Sequence, residues 1–156
     1  MRIRIIAVGE RMPRWVDEVV ADYTGRLASS LKVALVEVPA GQRSARGDPA
    51  QAMHSEGQRI LSLIKPAEFV AALDERGVQQ TTRELATWLA GRMNDGRDLV
   101  LVIGGPDGLS GAVLSRADQQ LSLSRLTLPH PLVRVVLCEQ LYRAHTVLSG
   151  HPYHRD

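Results

Sequence analysis

The last residues of the chain carry side chains that can move protons and bind anions. The end reads HPYHRD and places Tyr153, His154 and Arg155 side by side. A histidine exchanges protons near neutral pH, and a neighbouring arginine can bind phosphate or a developing negative charge. Because chain ends are usually frayed, this tail is either solvated or held against a site. Its residue types suit proton removal beside a phosphate.

A second group of reactive side chains opens the last predicted helix, Pro131–Gly150. His130 is bracketed by two prolines, which predict a stiff extended segment at the start of that helix. Arg134 and Arg143 follow and are candidates for phosphate binding. Arg143 has an alternative role, because Glu139 lies four residues before it in the favourable order for an ion pair on a helix surface.

Glycines follow the most apolar predicted strand, in the stretch VIGGPDGLS. In open α/β sheets ligands bind beyond the carboxyl ends of such strands, and Gly104 and Gly105 would let the backbone approach a ligand closely. The alternative is an ordinary tight turn. The pattern lacks both the GxGxxG spacing and the GK[ST] of a phosphate-binding loop, so dinucleotide and nucleoside-triphosphate binding are poorly supported.

The histidines do not follow a metal-binding pattern. No HxxxH pair on a helix and no accompanying carboxylate cluster is found among His130, His145, His151 and His154. We therefore expect no metal. The single cysteine, Cys138, excludes an internal disulfide and is expected to fill the core rather than act as a nucleophile.

Short apolar runs alternate with longer amphipathic stretches along the chain. The apolar runs predict strands over Ile3–Gly9, Leu31–Pro39, Glu68–Asp74 and Asp98–Gly105, with a last short strand or extended loop within 121–130. The longer stretches predict helices within 12–28, 49–64, 77–96, 106–118 and Pro131–Gly150. Thr81 or Thr82 could cap the third of them, Ser110 could cap the fourth, and Gly150 is expected to end the last. In the first helix, one face is expected to carry Trp15, Val19, Tyr23 and Leu27. This alternation indicates an α/β fold, with a mostly parallel sheet flanked by helices.

The totals fit one domain over residues 1–156. The net charge of +2 permits a nucleic-acid partner without requiring one. We expect a cytoplasmic protein with no membrane association, because we find no run of about 18 apolar residues and no secretory signal. The last helix is apolar on most sides, so it is expected to be buried. A second copy of the chain would cover both faces, and packing under the sheet without a partner is the alternative.

Three stretches together resemble one family. They are AVGERMPRW, VIGGPDGLS and LTLPHPLVRVVLCEQLYRAHTVLSGHPYHRD. With the PAG.R pattern at Pro39–Arg43, they are similar to the RlmH-type methyltransferases of the SPOUT class, over essentially the whole chain. That family modifies a pseudouridine of bacterial large-subunit ribosomal RNA. The resemblance implies a SPOUT-type α/β domain with a C-terminal trefoil knot, a rare exception to unknotted connections. Asp107 stands where the family commonly has glutamate.

The resemblance also implies a cofactor and partners. S-adenosyl-L-methionine would bind in the knot, at positions that match Leu73, Gly104, Gly105, Leu123, Ser124, Arg125, Leu126, Thr127 and Leu128. The protein would be a homodimer, with each site completed by the neighbour's tail. The substrate would be helix 69 of 23S rRNA in the assembled ribosome, and no metal would be needed.

The implied reaction is methyl transfer to N3 of a pseudouridine, where a proton must be removed. His154 is the first candidate for the base and His130 the second. Tyr153 would hydrogen-bond to the target base or stack on it. Arg155 and Arg134 would bind phosphate or stabilise the negative charge that develops on the ring.

Three other functions stay open. A ribosome-associated factor of the same fold without activity would not bind the cofactor. A SPOUT methyltransferase with another target, such as a tRNA, would methylate that RNA instead. A histidine-dependent nuclease would still cleave RNA after metal chelation.

Overall fold

The computed structural model describes residues 1–43 and 47–155. Strands and helices alternate in these ranges, in the order β1 (Arg2–Val8), α1 (Arg14–Leu27), β2 (Lys32–Val38), α2 (Pro49–Leu63), β3 (Phe69–Gln79), α3 (Thr82–Asp95), β4 (Leu99–Ile103), α4 (Gly111–Arg116), β5 (Gln119–Ser122) and α5 (His130–Ser149). Part of the polar loop after the second predicted strand, with Arg46, lies outside the described residues.

The five strands form one parallel sheet in the order β2-β1-β4-β3-β5. In the register, Ile5 of β1 pairs with Leu35 on one side and with Leu101 on the other. The predicted α/β fold with a parallel sheet flanked by helices is confirmed. Because all strands run the same way, the loops that follow β4, β3 and β5 meet at one edge. The C-terminal knot stays a prediction.

The sheet is covered on both faces, because side chains alternate along each strand. Ile3 and Ile5 pack under α1, α3 and α5, whereas Ile6 and Val8 face α2 and α4. All four side chains are buried. Each such burial contributes about 1.5–3 kcal/mol relative to exposure. The two cores hold the strand ends in fixed positions.

Helix α5 lies between α1 and α3. The face that packs on the chain's own core carries Leu137, Cys138, Leu141 and Ala144. One face of α5 is therefore covered by its own chain, as expected for a helix that packs without a partner. Leu132 and Leu148 on this helix stay exposed. None of the helices in the described ranges combines the length and apolarity needed to cross a bilayer.

Three element predictions differ from the structure. The last strand, expected within 121–130, lies over Gln119–Ser122. The stretch interpreted as the third helix begins with residues 77–79, which belong to β3 instead, whereas the helix starts at Thr82 beside the cap expected at Thr81 or Thr82. Gly77 permits that path, since a Cβ there would lie 2.5 Å from the backbone of Leu121 in β5. In α1, Leu27 is buried and Tyr23 packs on the core as predicted, but Val16 is buried in place of Trp15, which is 48% exposed.

The predicted caps at Thr81 and Ser110 and the predicted end at Gly150 are confirmed. Thr81 Oγ1 accepts from the Glu84 N–H, and the Glu84 carboxylate accepts from the Thr81 N–H, which completes a capping box. Ser110 caps α4, and Gly150 ends α5 in the left-handed conformation. These caps fix where the loops at the sheet edge begin and end.

Candidate functional site

A cleft of about 580 Å³ opens at the carboxyl edge of the sheet, beyond β4, β3 and β5. Its walls are the end of β3, the glycine turn after β4 and the loop between β5 and α5. Of the positions predicted to bind a cofactor, the cleft is lined by Leu73, Gly104, Gly105, Leu123, Ser124, Leu126, Thr127 and Leu128. Arg125 belongs to the same loop but is exposed and does not line the cleft. The volume falls within the range of small-molecule sites.

The turn after β4 requires glycine at two of its positions, Gly104 and Gly108. The Gly108 N–H donates to the Gly105 carbonyl at 3.0 Å, and Gly108 has φ +85°. A Cβ on Gly104 would lie 2.6 Å from the Gly108 backbone, so no larger residue fits without a shift. The tight-turn explanation is therefore correct, and the same turn also forms a wall of the cleft.

The loop after β5 is held by serines. The Ser122 hydroxyl donates to the Ser124 carbonyl at 3.0 Å, and the Leu126 N–H donates to Ser124 Oγ at 2.9 Å. Leu126 lines the cleft and is 76% exposed. A leucine left exposed on a cleft wall suits contact with an apolar part of a ligand.

The charged lining of the cleft, among the described residues, is mainly acidic and comprises Asp74, Glu75, Arg76 and Asp107. Asp74 accepts from Arg76 through the backbone N–H at 2.9 Å and through Nε at 3.0 Å. The hydrogen bond from the Arg76 side chain holds the pKa of Asp74 below its ordinary value. Such a lining favours a cation over a phosphate.

Sequence reasoning missed these acidic residues as part of the site. The available signal was the position of Asp74 at the carboxyl end of a predicted strand, where α/β ligands bind. The stretch after Asp74 was interpreted as a loop followed by a helix, so Glu75 and Arg76 were not expected at the cleft.

His130 is the first residue of α5, not part of an extended segment, and it lines the cleft. Its pKa is lowered from 6.5, first by burial and then by the positive charges of Arg134 and Arg43, while Glu56 opposes the shift. The imidazole is therefore neutral at pH 7 and able to accept a proton.

Arg134 is fully buried. Its guanidinium donates to Glu37 Oε1 at 2.6 Å, to the Val8 carbonyl at 3.0 Å and to the Gly9 carbonyl at 2.5 Å. These bonds tie the start of α5 to the carboxyl ends of β1 and β2. Because the guanidinium is bonded to groups inside the protein, Arg134 is better suited to holding the start of α5 in place than to binding a phosphate.

Tyr153 packs against the chain's own α1 and α5. Its hydroxyl donates to Glu139 Oε1 at 3.1 Å and shares a hydrogen bond of 3.2 Å with the Tyr23 hydroxyl. Its ring lies edge-on to Tyr142, and the guanidinium of Arg143 lies 4.7 Å from its centre. Burial and the hydrogen bonds to Tyr23 and Glu139 raise the pKa of Tyr153. The phenol is therefore a neutral anchor.

The tail does not reach its own cleft. In the described part of the chain, the cleft lining includes none of Tyr153, His154 and Arg155. Tyr153 lies at the level of Glu139, about 14 Å along α5 from His130 at 1.5 Å per residue. The predicted pair of Glu139 and Arg143 is present at 2.7 Å. The structure thus brings the cofactor positions and His130 together and leaves the tail candidates apart.

Cys138 is buried in the core, where burial raises its pKa to about 12. Reactive cysteines have a low pKa and access to solvent, so this thiol is a core residue, as predicted. Within residues 1–43 and 47–155, no group of three His, Cys, Asp or Glu side chains converges as a metal site requires.

Comparison with known proteins decides the family. A family model described as predicted SPOUT methyltransferase matches residues 1–154. The chain belongs to the SPOUT methyltransferase family. The resemblance seen in the sequence is therefore confirmed, and membership makes the chain a methyltransferase.

Relatives match over their full length. A Thiobacillus denitrificans protein named ribosomal RNA large subunit methyltransferase H is 50% identical over 156 residues, with 100% of both chains covered. Proteins of the same name are 51% identical in Thioalkalivibrio sulfidiphilus, with 100% of both chains covered, and 52% identical in Alkalilimnicola ehrlichii, with 99% of both covered.

Solved structures support the fold of this SPOUT methyltransferase. A methylase family protein from Haemophilus influenzae has a TM-score of 0.55 at 14% identity, covering 99% of this chain and 70% of that chain. Another from Neisseria gonorrhoeae has a TM-score of 0.54 at 13% identity, covering 98% of this chain and 95% of that chain. At such identities the likeness concerns the fold alone.

Proposed function

We propose that this SPOUT methyltransferase transfers a methyl group from S-adenosyl-L-methionine to N3 of a pseudouridine in helix 69 of 23S rRNA, on the assembled ribosome. One observation carries the proposal: eight of the nine positions proposed to bind the cofactor line one cleft. The printed names of the relatives, which are ribosomal RNA methyltransferases, support RNA as the substrate.

The cleft suits the cofactor by volume, apolarity and charge. Leu73 and Leu126 supply apolar walls, and the backbone around Gly104 and along 123–128 supplies hydrogen-bonding groups. Arg125 stays in the proposed set as part of that loop. When bound, S-adenosyl-L-methionine supplies a methyl group on a positively charged sulfur. The acidic lining near Asp74 favours that charge.

The remaining work of the residues is to remove the N3 proton and to orient the target base. We assign the role of general base to His154. His130 is the second candidate, because it lines the cleft as a neutral imidazole. Arg155 binds phosphate or stabilises negative charge on the ring. Tyr153 holds the tail, and Arg134 supports the start of α5 beside the cleft.

We propose a homodimer in which the tail of one protomer completes the cleft of its partner. The tail is anchored on its own α5 away from its own cleft. Leu132 and Leu148 on the same helix remain exposed. A second copy would cover these side chains and bring His154 and Arg155 to the opposite cleft.

The RNA target lies in the cytoplasm, and we place the protein there, with no membrane association and no metal. A net charge of +2 provides few phosphate contacts, so binding to free RNA is expected to be weak and sensitive to salt. The shape of the assembled ribosome would then supply specificity that charge does not.

The test offers labelled S-adenosyl-L-methionine to the purified protein with three substrates: ribosomes lacking the modification, free large-subunit RNA and tRNA. We expect label chiefly in the RNA of assembled ribosomes, at N3 of one helix 69 pseudouridine. His154→Ala should abolish the label while calorimetry still shows cofactor binding.

Other outcomes would change the conclusion in distinct ways. Label in tRNA would contradict the substrate and leave the fold in place. Absence of both label and cofactor binding would indicate a ribosome-associated factor without activity. Cleavage of RNA after chelation would indicate a nuclease.

A further inference from the structure

A cluster of charged side chains lies beside the cleft, and one of them, Asp107, also lines it. Arg43 lies between Glu56, on α2, and Asp107, in the glycine turn. We propose that Arg43 is a positioning residue that clamps the glycine turn in the shape that binds the cofactor. The proposal rests on the proposed S-adenosyl-L-methionine site and does not depend on the RNA target.

The clamp stands on a buried carboxylate. Glu56 is 2% exposed and accepts from the Gly41 N–H at 2.8 Å and from Arg43 Nη1 at 2.6 Å, with Nη2 at 3.3 Å. A buried carboxylate requires partners of this kind. Arg43 Nη1 also donates to the Gly41 carbonyl at 3.2 Å. The guanidinium is therefore held in one orientation by groups outside the turn.

The other side of the guanidinium reaches the turn. Arg43 Nε donates to Asp107 Oδ2 at 2.7 Å. Asp107 is a central residue of the turn that the bond between Gly105 and Gly108 closes. Arg43 Nη2 also lies 3.5 Å from the place that a Cβ on Gly105 would occupy. Arg43 thus bonds to the turn through Asp107, lies beside Gly105 and joins the turn to the segment after β2.

The contacts favour positioning over direct binding of phosphate. Two carboxylates surround one guanidinium, so the cluster carries no excess positive charge for RNA. Hydrogen bonding to Glu56 and Asp107 raises the pKa of Arg43, so the clamp stays charged. The planar fork of arginine can serve Glu56, Gly41 and Asp107 together, which a lysine ammonium cannot do in the same geometry.

The test compares the full-length protein with Arg43→Lys, Asp107→Asn and Asp107→Glu. Arg59→Lys is the matched control, because Arg59 donates to the Pro39 carbonyl at 2.8 Å without contacting the turn. Two quantities are measured for each: the Kd for S-adenosyl-L-methionine by calorimetry, and amide hydrogen exchange at Gly108 without cofactor. Thermal melts confirm that each variant is folded, and Asp107 is exposed, so its variants should fold.

We expect Arg43→Lys and Asp107→Asn to raise the Kd roughly tenfold and to speed exchange at Gly108, since each loses a charged hydrogen bond. Asp107→Glu should keep both the Kd and the exchange rate near their wild-type values, because it keeps the carboxylate, and Arg59→Lys should change neither. Unchanged exchange and Kd in both clamp variants would overturn the proposal, as would faster exchange with unchanged Kd. If the wild type binds no cofactor, the proposed function fails, and exchange at Gly108 still decides whether Arg43 orders the turn.

Discussion

Arg134 is a charged side chain with no exposure to solvent. Its replacement by methionine would leave the Val8 and Gly9 carbonyls without their donor and Glu37 without its partner. We expect Arg134→Met to lower the free energy of unfolding by about 3–5 kcal/mol, as for other broken buried pairs. Urea denaturation measures this change.

The control for Arg134 lies on the same helix. Arg143 pairs with Glu139 at 2.7 Å but is partly exposed, with 28% of its side chain accessible. Arg143→Met should therefore cost about 1 kcal/mol or less. Equal losses for the two variants would contradict the supporting role of Arg134 and reopen its direct contact with a phosphate.

His130 provides a prediction about pH. Burial and the charges of Arg134 and Arg43 outweigh the opposing Glu56, so its folded pKa lies below 6.5. The unfolded chain binds this proton more tightly than the folded one does. The stabilisation from neutral His130 is therefore present above pH 6.5 and is lost as pH falls through the folded pKa.

An NMR titration of the imidazole tests the prediction for His130, with His130→Asn to assign the signal. A midpoint below 6.5 is the expected result, and the acidic limb of the activity profile should follow it if His130 is the base. A midpoint at or above 6.5 would show that the local charges act differently from this description.

At the scale of elements, the tail works as an extension of α5. Tyr153→Ala removes the ring that packs against Tyr142 and the hydroxyl that bonds to Glu139 and Tyr23. We expect kcat to fall roughly a hundredfold, because a misplaced catalytic group is costly. The Kd for S-adenosyl-L-methionine should not change, since Tyr153 does not line the cleft of its own chain.

Conservative substitutions distinguish two roles of Tyr153: anchoring the tail on α5 and contacting the target base of the RNA. Tyr153→Phe keeps the ring and should lose less activity than Tyr153→Ala. Glu139→Gln weakens the hydrogen bond to Tyr153 and also the ion pair with Arg143, and it should reproduce part of the Tyr153→Phe loss in single-turnover rates. Full activity in Glu139→Gln would contradict the idea that the charge of Glu139 is needed to hold the tail in place.

The elements were largely predictable from periodicity, and the exceptions have local causes. Strands such as β4 are apolar throughout because they are buried on both faces. The extension of β3 could not be read from the sequence, because its pairing with β5 beyond the irregularity between Leu73 and Val78 is a long-range contact that overrides local preference. Trp15 was misplaced by one position on its helix face, which spacing alone does not resolve.

The site was predictable only in part. Eight of the nine positions that the resemblance implied line one cleft, and their role in binding a cofactor stays a prediction. The partners of Arg134 and Tyr153 were not predictable, since Glu37 and Tyr23 lie far away in sequence. The clamp of Arg43 was equally hidden, because it joins three separate segments.

At the scale of the whole molecule, we treat residues 1–156 as one domain whose site is incomplete alone. The parallel sheet places every loop of the cleft at one edge. The tail lies elsewhere, on α1 and α5. We therefore propose that a functional site combines the cleft of one protomer with the tail of another.

The most direct measurement uses a heterodimer purified through two different tags. One protomer carries Leu126→Arg, which puts a cation on an exposed cleft wall, and the other carries His154→Ala. Both homodimeric variants should be inactive. If tails act across the dimer, the heterodimer has one intact site and shows about half of the wild-type methyl transfer to ribosomes. If tails act within their own chain, both sites are defective, and an inactive heterodimer that still binds one S-adenosyl-L-methionine would contradict the account.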